Sequence, residues 1–246
     1  MIDIHCHILS GMDDGAGNLS DSAEMAALSV SSGVSAVIAT PHCSISDVFS
    51  EQYGRRLDQK LADLKTELAR RKISIQLYQG REIFLVPDKI GYLLRCTYSP
   101  GLNGSRYLLV EFDPYEYTSS ALGCLEQLTA VGYIPIVAHP ERYRFVIEDP
   151  SAIIRMKRLG CMIQLNRGSI LGRFGNRIKS VSAEIIKKRQ ADFVASDAHS
   201  QYSRTPYLAD IHEYLCGTAG SDYAAFLLHK NPMSVLADRE RPVPFI

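Results

Sequence analysis

The chain opens MIDIHCHILSGMDDG, residues 1–15: an apolar, strand-like run that carries two histidines and ends in a turn holding two aspartates. Successive side chains of a strand alternate faces, so His5 and His7 project to one side while Ile4, Cys6 and Ile8 project to the other. Two adjacent imidazoles before an acidic turn could form half of a metal site. They have that meaning only if the rest of the chain supplies the other half.

Six further apolar, β-branched runs follow, over 35–39, 74–78, 107–110, 134–138, 161–165 and 193–195. Segments of helical period separate them. The clearest carries Leu57, Leu61, Leu64 and Leu68 in one stripe, and others cover 20–32, 119–131, 150–159, 177–189 and 205–215. Nearly all-apolar strands alternating with helices imply parallel pairing through right-handed crossovers, and strand starts about 25 to 40 residues apart match βα units. The expected architecture is a distorted (β/α)7 TIM-like barrel, irregular over 82–106, which does not read as one helix. An open doubly wound sheet is the competitor, but it would show a Gly-rich phosphate loop where this chain has His-Cys-His.

On this frame the chemistry falls at C-terminal strand ends. His5 and His7 end the first strand, His42 follows the second in Thr-Pro-His, and Glu82 follows the third in Gly-Arg-Glu. Glu111 ends the fourth, His139 the fifth, and Asp197 and His199 the last. In a barrel these ends converge on one face, where active sites form. Closure brings His5/His7 opposite Asp197/His199, with Asp13 or Asp14 folding back from the turn, while Cys6 and Ala198 point into packing.

Bulk properties narrow the function. With 246 residues and 46% hydrophobic content the chain is expected to form a single domain over 1–246 with a substantial core. Its 27 basic and 27 acidic residues cancel, so no overall field would gather nucleic acid. No leader pattern and no apolar stretch near the roughly 18 residues of a membrane helix occur, so a cytoplasmic protein without membrane insertion is expected. The six cysteines, with no Cys-x-x-Cys pair, read as buried thiols.

Imidazole and carboxylate donors without thiolate suit zinc, manganese or iron, and nine candidates exceed the needs of one ion. Two or three ions bridged by a carboxylate such as Glu82 would hold phosphoryl oxygens and a bridging hydroxide nucleophile, which makes phosphate-ester hydrolysis the natural reaction. Arg142, three residues after His139, and Arg204, seven after Asp197, are the candidate phosphate-binding guanidiniums.

In order, the His-x-His start, Asp-Asp-Gly turn, Thr-Pro-His, Gly-x-Glu, Glu-Phe, Ala-His-x-Glu-Arg-Tyr and Ser-Asp-x-His elements resemble the polymerase-and-histidinol-phosphatase (PHP) superfamily. More narrowly they resemble the manganese-dependent bacterial protein-tyrosine phosphatases of capsule and exopolysaccharide loci. The resemblance implies three metals, one held by His5, His7, Glu82 and Asp197, another by Glu82, Glu111 and His139, and the third by Asp14, His42 and His199. It further implies phosphate contacts by Arg142 and Arg204, and manganese as the activating metal. The implied partner is an autophosphorylating bacterial tyrosine kinase with a tyrosine-rich tail that regulates capsular polysaccharide synthesis. Two departures stand out: Ser-Arg-Thr-Pro replaces an expected Arg-Pro-Pro at Arg204, and Arg81 in Gly-Arg-Glu is a cation that cannot ligate metal.

Alternative readings are a small-molecule phosphomonoesterase, such as one acting on histidinol phosphate, and a PHP-type nuclease. Residues 113–117 and 142–145 offer aromatic walls suited to a phenyl ester. Cys161 to Arg167 matches the Cys-x5-Arg spacing of thiol-based phosphatases, but the intervening Met-Ile-Gln-Leu-Asn reads as a buried strand rather than a phosphate cradle. A non-enzymatic metal scaffold would be favoured by missing ligands, and all nine are present. His212 and His229 lie inside helical patterns and read as packing or surface residues.

Overall fold

A computed structural model describes residues 1–239; the last part of the expected 1–246 domain, residues 240–246, lies outside the described residues. Nine strands are formed there: β1 (Ile2–Cys6), β2 (Ala36–Ala39), β3 (His42–Ser44), β4 (Gln76–Gln79), β5 (Glu82–Phe84), β6 (Tyr107–Glu111), β7 (Ile134–Ala138), β8 (Met162–Asn166) and β9 (Phe193–Ala195). They pair in parallel throughout, in the orders β1-β2-β4 and β3-β5-β6-β7-β8-β9. Thr40-Pro41 separates β2 from β3, and Gly80-Arg81 separates β4 from β5, so the nine strands occupy seven positions. Proline cannot donate to a ladder, which breaks the second position. A Cβ on Gly80 would press within 2.8 Å of the Ile38 and Leu102 side chains, so a larger residue could kink there only if those buried side chains shifted.

The ladder returns to its start. Asp197 N donates to His5 O and His7 N to Ala198 O, both at 2.9 Å, and Cys6 and Ala198 form a parallel bridge. The result is the distorted seven-position parallel barrel expected from the sequence. Helices Leu19–Ser31, Glu51–Arg70, Thr118–Ala130, Ala152–Arg158, Asn176–Lys187 and Ala209–Ala219 fall close to the periodic segments, and the stretch after β5 breaks into short turns. Leu57, Leu61, Leu64 and Leu68 bury their stripe against the strands, each contributing about 1.5–3 kcal/mol relative to exposure.

The core has two layers. Ile2, Ile4, Ile38, Leu109, Ile136 and Phe193 belong to a smaller cluster on one face of the strands, and the larger cluster, with Cys6, Ile8 and Ala198, packs the other face against the helices. Simple alternation along β1 would put Ile4 opposite His5 and His7. Instead, the pairing Asp3↔Val37 followed by Cys6↔Ala39 shows one extra residue on β1. This bulge changes the phase, so Ile2 and Ile4 fill the inner layer and His5 and His7 continue on the same side above them. No helix among the described residues is long and apolar enough to cross a membrane.

Candidate metal centre

The strand ends build the site one side chain at a time. His5 Nδ1 lies 3.0 Å from Gln164 Oε1, and His7 Nδ1 lies 2.7 Å from Asp13 Oδ2. Both oxygens can only accept, so each Nδ1 donates and, in the neutral ring, each Nε2 carries the lone pair facing inward. These two Nε2 atoms are 3.2 Å apart. Asp197 Oδ1 approaches them at 3.5 and 3.4 Å, and Glu82 at 3.2 and 3.3 Å.

From Glu82 the cluster extends in two directions. His139 Nε2 is 3.0 Å from Glu82 Oε1 and 3.5 Å from Glu111 Oε1. On the other side His42 Nδ1 is 3.1 Å from Glu82 Oε2, and its Nε2 is 3.5 Å from Asp14 Oδ1, which also lies 3.4 Å from His199 Nε2. Asp14 stands at the mouth with its side chain 67% exposed, whereas Asp13 braces the turn by accepting from Gly15 N and His42 N. A Cβ on Gly15 would overlap the His7 carbonyl, so the Asp-Asp-Gly turn can fold onto β1 only with glycine there.

All nine sequence-predicted donors therefore meet. They form four overlapping groups: His7, Asp14, His42 and His199; His5, Glu82 and His139; His5, His7 and Asp197; and His42, Glu82 and Glu111. Within each group the donor atoms lie within 4.8 Å of one another. The groups share members, so the donors make one continuous cluster.

The donor set fits divalent ions. Glu82 Oε2 is buried and makes no hydrogen bond of acceptable geometry, although two imidazole nitrogens lie near it. Burial would raise the Glu82 pKa, but the charge on His5 and contacts from His139 and His42 hold it well below the usual carboxylate range. Glu111 goes the other way: burial and then the charge of Glu82 push it up to about 7. Such packed carboxylates and inward lone pairs call for cations. Backbone strain accompanies the site, since His139 (φ 35°) and Asp197 (φ 49°) both sit in the left-handed region. Residues so placed cost on the order of 1–3 kcal/mol and persist where the surroundings enforce them.

Asp197 also organises the cations. Its Oδ2 takes Arg142 Nη1 at 3.4 Å, together with Arg204 Nη2 and Asn166 Nδ2. Both guanidiniums stay partly exposed, and that of Arg142 lies 4.9 Å over the Phe174 ring.

Sequence reasoning missed four supporting residues. Asp3, fully buried, accepts from Ser196 N, Ser196 Oγ and His5 N, and so pins the bulge. Gln164 orients His5 and donates to Asn166 Oδ1 at 3.0 Å, and Glu141 accepts from Asn166 N. Polar residues at alternate positions of Met-Ile-Gln-Leu-Asn were the available signal. Another expectation is corrected: Tyr143 is 1% exposed and Phe145 is buried with it in the larger core, so neither forms a wall. Tyr143 Oη is used by Phe112 N at 3.1 Å. Tyr115 remains exposed and lines a cavity of about 420 Å³ with Arg142, Arg144 and Arg177.

The Cys-x5-Arg rival has no cradle. Cys161 is buried, the following residues are β8, and Arg167 Nε is bonded to Asp210 at 2.7 Å. His212 and His229 lie in helical segments and in none of the donor groups.

Residues 1–237 match the family model described as Capsular polysaccharide synthesis, CpsB/CapC. The chain is 37% identical over 205 residues to tyrosine-protein phosphatase YwqE of Bacillus subtilis (strain 168), covering 83% of this chain and 79% of that protein. It is 28% identical over 241 residues to tyrosine-protein phosphatase CpsB of Streptococcus agalactiae, covering 96% and 98%. A crystal structure from work on YwqE of Bacillus subtilis and CpsB of Streptococcus pneumoniae, described as metal-dependent tyrosine phosphatases, superposes over 100% of both chains with a TM-score of 0.84 and 32% identity. A lactonase from Listeria monocytogenes shares the fold at TM-score 0.63 and 12% identity, covering 97% of this chain and 95% of that one. This chain belongs to the CpsB/CapC family of capsular polysaccharide synthesis.

Proposed function

We propose that the chain, as a single catalytic domain in the cytoplasm, is a metal-dependent protein-tyrosine phosphatase. Its substrate is the phosphorylated tyrosine-rich tail of a bacterial tyrosine kinase that controls capsular polysaccharide synthesis. His5, His7, Asp14, His42, Glu82, Glu111, His139, Asp197 and His199 would hold two or three divalent ions, manganese foremost and iron or zinc as substitutes. When bound, such ions supply Lewis acidity at the phosphoryl oxygens and ionise a water for attack.

The chain's own residues do the rest. Arg142 and Arg204, held side by side on Asp197 Oδ2, present guanidinium forks to the equatorial oxygens where charge accumulates during displacement. Gln164 and Asp13 orient the His5 and His7 imidazoles with Nδ1 donating outward and Nε2 turned to the cluster. The departing phenolate, conjugate to an acid of pKa about 10, leaves more readily than an alkoxide and needs less protonation. The observation that carries the reading is the convergence of nine nitrogen and oxygen donors beside two guanidiniums that share one carboxylate.

The test is metal analysis combined with rates on a phosphotyrosine peptide, histidinol phosphate and a nucleotide, with and without chelator. Chelator-sensitive turnover with preference for the peptide is expected. Preference for histidinol phosphate would overturn the substrate, and turnover insensitive to chelation but lost in Cys161→Ser would overturn the metal mechanism.

A further inference from the structure

Glu82 faces the donor cluster, and its neighbour Arg81 faces elsewhere. From the kink between β4 and β5, Arg81 lines a separate cavity of about 410 Å³ with Phe49, Ser50, Tyr98 and Ser99, and the exposed Glu51 and Asp58 line it as well. Arg81 is 8% exposed, and its Nε has no hydrogen-bond partner. Among the described residues no carboxylate comes within ion-pair distance of it, and Glu51 is paired with Arg55 at 3.0 Å.

A guanidinium drawn largely out of water, with its Nε buried and unpartnered, is destabilising, because no protein group replaces the hydration lost there. A lysine could shed its proton in such a place, but a guanidinium keeps its charge. Arg81 therefore needs an anion. Both carboxylates are exposed to water and screened, so they weigh little against a guanidinium that is largely withdrawn from it. Hydroxyls of Ser50 and Ser99 and the rings of Phe49 and Tyr98 add polar and apolar lining around it.

We propose that this cavity is a second binding site, distinct from the metal cluster, for a small molecule whose phosphate or carboxylate head forks onto Arg81. The aromatic rings receive its less polar remainder. Arginine suits both heads because its planar fork matches two oxygens at once.

The experiment is a thermal melt of the full, metal-loaded chain in anion-poor buffer, with added sulfate, inorganic phosphate or benzoate, for wild type, Arg81→Met and Ser50→Asp. Benzoate separates a carboxylate head from a tetrahedral one, and any anion response at the metal cluster is common to all three proteins. Wild type is expected to gain about 3 °C or more at saturating anion. Arg81→Met should melt no lower than wild type without anion and gain less when it is added. Ser50→Asp keeps a helix-capping side chain at Ser50, the N-cap of Glu51–Arg70, while placing a carboxylate in the cavity, so it too should lose part of the response and guards against misfolding of the first variant. An anion response equal in all three proteins, or Arg81→Met less stable than wild type in anion-poor buffer, would overturn the proposal.

Discussion

His7 Nδ1 and Asp13 Oδ2 lie 2.7 Å apart, and the same Asp13 oxygen accepts from His42 N at 2.9 Å. One carboxylate thus ties the acidic turn to a histidine just past β1 and to the one that opens β3. Asp13 is a positioning residue: it fixes the His7 tautomer and ring plane without belonging to any donor group. Asp13→Asn keeps the shape but replaces an obligate acceptor with a group that can flip a donor toward Nδ1. Outer partners of this kind are worth about 10–100-fold in metal affinity. Titration with Mn²⁺ should show that loss, and equal affinity in the variant would remove Asp13 from this role.

Asp3 sits one layer below. Its carboxylate satisfies Ser196 N, Ser196 Oγ and His5 N at the bulge, where the extra residue leaves backbone donors out of the ladder. Asp3→Ala leaves two buried backbone donors, Ser196 N and His5 N, unpaired, each costing about 1–3 kcal/mol, while Ser196 Oγ keeps His5 O at 3.3 Å. The expected result is a loss of several kcal/mol in denaturant unfolding together with weaker Mn²⁺ binding, because the bulge sets the phase of His5 and His7. A variant that loses stability but binds metal as wild type does would separate the bulge from the site.

Arg142 and Arg204 share Asp197 Oδ2, so each also balances the other's absence in part. Alanine at either position should lower kcat/KM on a phosphotyrosine peptide by about 10²–10³-fold, and lysine should restore little because it lacks the planar fork. Metal content should stay unchanged. If metal is lost along with activity, the arginines hold Asp197 in place rather than meet phosphate.

These predictions mix residues that the sequence announced with residues it concealed. His139 and Asp197 were readable because an apolar run ended in an ionisable residue, and barrel closure follows from the alternation of strand and helix. Asp14 was separable from Asp13 only through a resemblance, since both lie in one turn and the geometry that distinguishes them is long-range. Gln164 was hidden because an uncharged polar residue inside a buried strand looks like tolerated noise until His5, 159 positions away, is placed against it. The β1 bulge was hidden too: alternation assumes a regular ladder, and the extra residue appears only in the pairing with β2. Tyr143 misled because its position between two arginines resembles a rim, whereas packing of the following short helix turns its ring inward.

The protonation of the cluster predicts how metal and pH act together on stability. In the metal-free protein burial would lower the His5 pKa, but Glu82 and then Asp197 outweigh it and carry the value from 6.5 to about 8. A raised imidazole stabilises fully below its unfolded value and loses that contribution as pH rises through the folded one. Glu82 has the opposite sign: held well below 4.5, it stabilises above 4.5 and loses that contribution as pH falls toward the folded value. The joint contribution of His5 and Glu82 to the metal-free chain should therefore be greatest between pH 4.5 and 6.5 and decline from 6.5 to about 8. Metal ligation needs neutral imidazole, so it gains where the proton is lost. The difference in Tm between manganese-loaded and chelator-treated protein should then widen from pH 6.5 to 8. Calorimetry at fixed free Mn²⁺ measures it directly, and a difference that stays constant or narrows over that window would mean that protons and metal do not compete for His5.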